Sequence, residues 1–382
     1  MRRVSCAAAG VAALGLLVCG PSGTSPVAPV HASGSAAGSA AGSAAQAPET
    51  FAARIAALSE PGGYFDTDNL ISNETSYLQV IPALEEAGLE GGAYVGVGPD
   101  QNFSYIAQVR PSIAFIIDVR RDNLLLHLLF KALFELAETR VEYLRLLFAR
   151  PPPPHVEEWR SASVNQLVDY VDGDGIARKV EAMPNPFVEE VIKGFGVPLS
   201  AEDLATIQRF HRTFIDRGLS LKFETTGRPP QSQYPSYREL LVQKDPLGRP
   251  RSFLASEEAY AFVRALQHRN LVIPVVGDLS GPFALAAIGQ LIAARGERLS
   301  ALYASNVESY LFSDGKFAAF AKNLAALPRS SRSLIVRAVF GGYARVAPLS
   351  GYGSVSTVQR IDELLEGYAA GKFRSYGSLV SQ

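Results

Sequence analysis

Gly92-Ala93-Tyr94-Val95-Gly96-Val97-Gly98-Pro99-Asp100-Gln101-Asn102 is the stretch on which the fold turns. A short apolar run reads as a buried strand, and the glycines that close it read as a tight turn into a helix. Asp118 follows Gly98 by twenty residues, at the end of a second continuous apolar run, Ile113-Ala114-Phe115-Ile116-Ile117-Asp118. Strand, Gly-x-Gly turn, helix, strand and terminal acid form the first half of a Rossmann-like unit. A lone Gly-x-Gly says little, because tight turns need glycine anyway. The order of the parts carries the reading.

Working outward, Phe51 to Leu58 and Thr75 to Ala87 are expected helices, the second behind the cap-like Ser72-Asn73-Glu74. Asn102 to Val109 and a single long helix from Leu124 to Ala149 follow, the latter stopped by Pro151 to Pro154. Residues 155 to about 268 carry helical stretches (Phe187 to Lys193, Ala201 to Arg217, Ser256 to His268) between polar loops, with Leu219 to Glu224 as the one strand candidate. With the proline run they make a largely helical insertion over about 151–268 that covers one mouth of the sheet. Alternation then resumes, with strands Leu271 to Val276, Leu299 to Ala304 and Ser333 to Val339. Helices are expected at Phe283 to Arg295, Lys316 to Leu327 and, last, Thr357 to Tyr368. Such alternation needs right-handed crossovers and a parallel sheet covered on both faces. The expected fold is α/β: a Rossmann-like, doubly wound, mostly parallel sheet of five strands with a helical insertion.

The chain has 382 residues, 47% hydrophobic and 19% charged, with a net charge of −1. No basic stripe of the kind that binds nucleic acid stands out. Val119-Arg120-Arg121 and Arg329 to Arg337 read as local, solvated faces. Both cysteines, Cys6 and Cys19, fall in the first twenty residues, so the folded part has no disulfide and no thiolate chemistry. The five histidines form no HxxxH or HxH pair, and no metal site is expected. Met1-Arg2-Arg3 and the apolar run to Val18 read as an export signal over residues 1–32, too short to span a bilayer. Two processing readings stand side by side: cleavage after Val30-His31-Ala32, or a lipobox that leaves Cys19 lipidated. Gly-Ser-Ala-Ala repeats make residues 33–50 a linker, and residues 51–382 the folded domain. The protein is therefore expected to be exported, as a periplasmic, secreted or lipid-anchored protein.

Ligands of doubly wound sheets bind outside the carboxyl ends of the strands. Gly96 and Gly98 let the backbone approach a ligand, the helix beginning near Asn102 offers unpaired N–H groups, and Asp118 can accept both hydroxyls of a ribose. Asp278, at the end of a later strand, stands where an adenine amine would be met, or caps a helix. Asn306 and Glu308 stand where a substrate would meet a cofactor, and Glu74 could fold over the site. His127, in the leucine-rich helix, reads as a core histidine. The third glycine of the dinucleotide fingerprint is replaced by Gln101 or Asn102, and no P-loop is present. S-adenosylmethionine has no pyrophosphate and tolerates that change, which turns the expectation away from a nicotinamide oxidoreductase.

Ser72-Asn73-Glu74, Gly96 to Phe103, Phe115 to Asn123, Pro274 to Asp278 and Ser305 to Phe312 together resemble an uncharacterised bacterial family, similar to the leptospiral LIC-type hypothetical proteins. The resemblance covers most of residues 64 to 380 and implies a class I methyltransferase-like fold. Ser309 stands where that family's pattern has glutamine. The leading functional expectation is a protein that binds S-adenosylmethionine or a related adenosyl ligand and transfers a methyl group. Gly96, Gly98, Asn102, Asp118 and Asp278 would hold the cofactor. The alternative is a non-catalytic binding or scaffold protein with a degenerate crevice, whose partner is a small molecule or another protein.

Overall fold

The computed structural model describes residues 50–67, 69–173, 186–226, 231, 233–341 and 353–381. The expected leader, Cys19 and the linker up to residue 49 lie outside the described residues. Among the described residues no helix is long and apolar enough to cross a membrane.

Six strands form one sheet: β1 (Ala93–Gly96), β2 (Ile113–Asp118), β3 (Val272–Val276), β4 (Leu299–Ser305), β5 (Arg329–Phe340) and β6 (Ser354–Arg360). Their order is β3-β2-β1-β4-β5-β6. The first five run parallel, and β6 returns antiparallel along β5. The result is a mixed α/β, Rossmann-like sheet. The continuous apolar runs explain its interior: β1 and β3 are buried at every position, and β2 at all but Asp118, as parallel strands covered on both faces must be. Pro274 sits inside β3, which a central strand would not tolerate. β3 is the sheet's edge, and the neighbouring outward-facing position, Val276, bonds instead to Ser59 and Glu60. The segment after the first helix thus covers that edge.

Glu257–His268 packs on both Gln101–Val109 and Arg121–Leu136. A second group, Ala284–Ala294, Phe317–Ala326 and Ile361–Ala369, packs in series, with Phe51–Leu58 against its first member. Helices of the insertion, among them Pro186–Gly194 and Ala201–Arg217, lie against Arg121–Leu136.

Four local expectations are corrected. The long helix over Leu124 to Ala149 is two helices, Arg121–Leu136 and Arg140–Leu147. A capping box starts the second: Thr139 accepts from the Glu142 backbone N–H, and the Glu142 carboxylate accepts from the Thr139 N–H. The tail helix begins at Ile361, because Ser354–Arg360 is the sixth strand. Its inward positions are Ser354 and Ser356, whose hydroxyls bond Ser76 Oγ at 2.7 and 2.8 Å. Polar inward residues hide the strand from a hydrophobic pattern. Leu219 to Glu224 holds only an isolated bridge, Lys222 to Ser236, after a 3₁₀ turn. Thr75 to Ala87 is a 3₁₀ turn, Tyr77–Val80, followed by the short helix Ile81–Glu86.

Candidate functional site

From β1 the chain winds outward to β2 and β3, then returns to place β4 on the other side of β1. At such a switch point the turns after the strands part and leave a crevice. A cavity of about 440 Å³ lies there, within the range of roughly 300–1,000 Å³ usual for small-molecule sites. The turns after β1, β2, β3 and β4 line it, and Tyr64, Phe65, Asn69, Asn73 and Glu74 close it from the N-terminal side. Phe223, Gln231 and Tyr234 of the insertion complete the wall. A bridge between Thr67 and Thr225, with the Thr67 hydroxyl donating to Glu224 O at 2.6 Å, joins those two covering segments.

The structure divides the β1 turn into two parts. Gly98 lines the cavity with φ +84°, a conformation that favours glycine. Gly96 does not line it. A Cβ on Gly96 would stand 1.9 Å from Asn102 Oδ1 and 2.7 Å from the Tyr94 hydroxyl, so packing demands that glycine. Asn102 is fully buried and knits the turn together: its Nδ2 donates to Val97 O and Pro99 O at 2.8 Å, and its Oδ1 accepts from Tyr94. Gly96 and Asn102 therefore shape the turn without touching the cavity. His127 braces it from behind. Its Nε2 donates to Gly98 O at 2.9 Å among edge-on Phe103 and Phe130 rings, and burial lowers its pKa to about 4. It is a neutral core histidine.

Asp118 reaches the cavity wall already engaged. Its Oδ1 accepts from the Arg120 backbone N–H (2.9 Å) and Nε (3.2 Å), and its Oδ2 from Nη2 (3.0 Å). A carboxylate offers about four acceptor sites, so one remains, on Oδ2. Asp118 can take one ribose hydroxyl and not both. Arg120 is buried, donates also to Thr67 O at 2.7 Å, and lines the same wall. The expectation of a solvated Arg120 is overturned; only Arg121 of that pair reaches solvent, bonded to Asp203.

Asp278 lines the cavity and forms a turn of its own, accepting from Ser280 N–H (2.8 Å) and Oγ (2.7 Å), with Lys316 Nζ at 3.5 Å. Asn306 also lines the cavity, ahead of the helix Val307–Ser313, and makes no side-chain cap bond. Glu308 does not. It is fully buried and bonds Arg337 of β5 at 2.5 and 3.2 Å. That pair is structural, and it also overturns the solvated reading of Arg337.

Glu74 lies at the cavity wall with 1% of its surface exposed. Its Oε1 accepts from the Tyr303 hydroxyl at 2.5 Å and from the Ser305 hydroxyl, and its Oε2 from Gln101 Nε2 at 3.2 Å. Gln101 Nε2 bonds Tyr303 as well. Burial raises the Glu74 pKa from the ordinary carboxylate range, and the three donors pull it back. Ser305 holds φ +52° at the end of β4, a strained setting for a residue with a Cβ. Sequence reasoning missed Tyr303 and Gln101 as partners of Glu74. The signal available was two polar atoms, in a strand and a turn, that needed partners once buried. Among the described residues no group of three His, Cys, Asp or Glu side chains could hold a metal ion.

With this geometry established, comparison with known proteins gives a family. A family model described as a domain of unknown function (DUF7790) matches residues 69–151 and 223–370. The chain belongs to that family. The segments matched to DUF7790 hold all the lining residues of the cavity except Tyr64, Phe65 and Thr67. No curated protein matches the chain.

Proposed function

We propose that the cavity binds S-adenosylmethionine or a related adenosyl ligand and that the protein transfers its methyl group. The observation that carries this reading is the cavity's place at the switch point between β1 and β4, with Gly98, Asp118 and Asp278 on three neighbouring strand ends. The lining fits such a ligand better than a dinucleotide. Its bases stand beside its acids, Arg120 on Asp118 and Lys316 near Asp278, and among the described residues no basic cluster is left to meet a pyrophosphate. β6 running against β5 also departs from the all-parallel dinucleotide-binding sheet. S-adenosylmethionine supplies an electrophilic methyl group on a sulfonium. Around it, the free acceptor site of Asp118 takes one ribose hydroxyl, Asp278 faces the adenine amine, and Asn306 orients an acceptor. Glu308 has no part in this, since Arg337 occupies it.

A non-catalytic binding protein is the second reading. The observation that favours it is the Asp118–Arg120 pair, which fills three of the acid's acceptor sites.

A thermal-shift series with S-adenosylmethionine, S-adenosylhomocysteine and NAD tests the proposal. A ligand at about 100 times its Kd stabilises by roughly 2.7 kcal/mol. Adenosyl ligands should raise Tm and NAD should not. Asp118→Ala and the milder Asp278→Ala should each lose most of that increment, whatever their starting Tm. No shift with any adenosyl compound refutes the proposal.

A further inference from the structure

Two of the acids at the cavity wall face a base: Asp118 meets Arg120, and Asp278 lies 3.5 Å from Lys316. Asp314 is exposed at the rim, where water screens it. Glu74 differs from all three. It is buried, it forms part of the wall, and among the described residues no lysine, arginine or histidine pairs with it. Every polar group on it is a donor: Tyr303, Ser305 and Gln101. Burial pushes its pKa up, and the three donors converging on the carboxylate oppose that shift and favour the charged form. A buried charge without a counter-charge is costly, and in native proteins such charges are paired or hold an ion. Here the space beside the charge is a cavity.

We propose that the missing cation belongs to the ligand: Glu74 is the counter-charge for an onium group, sulfonium or ammonium. The inference rests on reading this cavity as a ligand site, and it fixes the charge of the ligand's end nearest β4. Tyr303, whose hydroxyl donates to Glu74, also lines the cavity. Gln101 and Tyr303 act through Glu74 as positioning residues, holding the carboxylate toward the space they share.

Calorimetric titration of the wild type and Glu74→Gln with S-adenosylmethionine, S-adenosylhomocysteine and 5′-methylthioadenosine separates the cases. If the group is the sulfonium, the wild type prefers S-adenosylmethionine over S-adenosylhomocysteine, and Glu74→Gln closes the gap. If it is the ammonium, Glu74→Gln weakens both by about ten- to hundredfold, the scale of one lost charge-assisted contact, and leaves the uncharged 5′-methylthioadenosine unchanged. A folded Glu74→Gln with wild-type affinity for all three overturns the inference. Should that variant not fold, wild-type protein that binds the neutral compound as tightly as the two charged ones overturns it equally. If no adenosyl compound binds, the adenosyl reading fails on its own account, and simple salts decide Glu74. Trimethylsulfonium or ethylammonium chloride should then raise the wild-type Tm above sodium chloride at equal ionic strength, and no rise overturns the proposal.

Discussion

Glu74 and Glu308 are both buried carboxylates beside the carboxyl end of β4, and their surroundings differ in one respect. Glu308 meets the Arg337 guanidinium at 2.5 and 3.2 Å, and the pair is sealed from the cavity. Glu74 meets only hydroxyls and an amide, with the cavity beside it. In a polar turn the residue type does not separate wall from site. The partner does.

The largest test of this contrast is Glu308→Ala. It leaves the Arg337 charge buried and unpaired, and should cost about 3–5 kcal/mol in urea unfolding. Replacing Glu308 and Arg337 together with leucine and methionine should restore most of that loss. A single-variant cost below about 1 kcal/mol would break the comparison.

Asp100 sharpens it. This acid is also buried, yet it accepts from the Tyr237 hydroxyl at 2.5 Å and does not line the cavity; burial raises its pKa from 3.8 to about 7. Between those values the folded chain keeps a proton that the unfolded chain has released. Its stabilisation is therefore full below about pH 4 and is lost as pH rises to about 7, at up to ~1.4 kcal/mol per unit. His127 acts oppositely. Its pKa falls from 6.5 to about 4, so its contribution grows with pH over that window and offsets the Asp100 slope. Asp100→Asn should thus gain on the wild type from pH 4 to 7 and level off above, as read from urea midpoints at pH 5 and 8. A difference that does not change with pH contradicts the assignment.

The smallest effect is expected at Glu74 itself. Glu74→Gln removes a buried charge along with charge-assisted bonds, and the opposing terms should leave stability within about 1 kcal/mol. Binding should carry its effect instead.

These contrasts also mark how far the sequence could be read. The first five strands were legible because both faces are buried over most of each, which forces apolar runs such as Ile113 to Ile117; the half-buried and exposed start of β5, Arg329 to Arg332, was not. β6 was not, because Ser354 and Ser356 point inward to Ser76 and break the pattern. The division of the long helix was written in Thr139 and Glu142, a capping box inside an otherwise helical period. At the site, Gly98, Asp118 and Asp278 could be placed from strand ends alone. The partners could not: Arg337 lies 29 residues from Glu308 and Tyr303 lies 229 from Glu74, and no local pattern encodes such pairings. Even Arg120, two residues from Asp118, read as solvated because a basic run carries no mark of burial.

The decisive experiment for a ligand site at the β1–β4 switch point is a crystal structure of the full chain grown with S-adenosylmethionine. The ligand should lie in the cavity between the Gly98 turn and Asp278, with a ribose hydroxyl on Asp118 Oδ2. A cavity that stays empty at saturating ligand, or a ligand bound elsewhere on the chain, would contradict it.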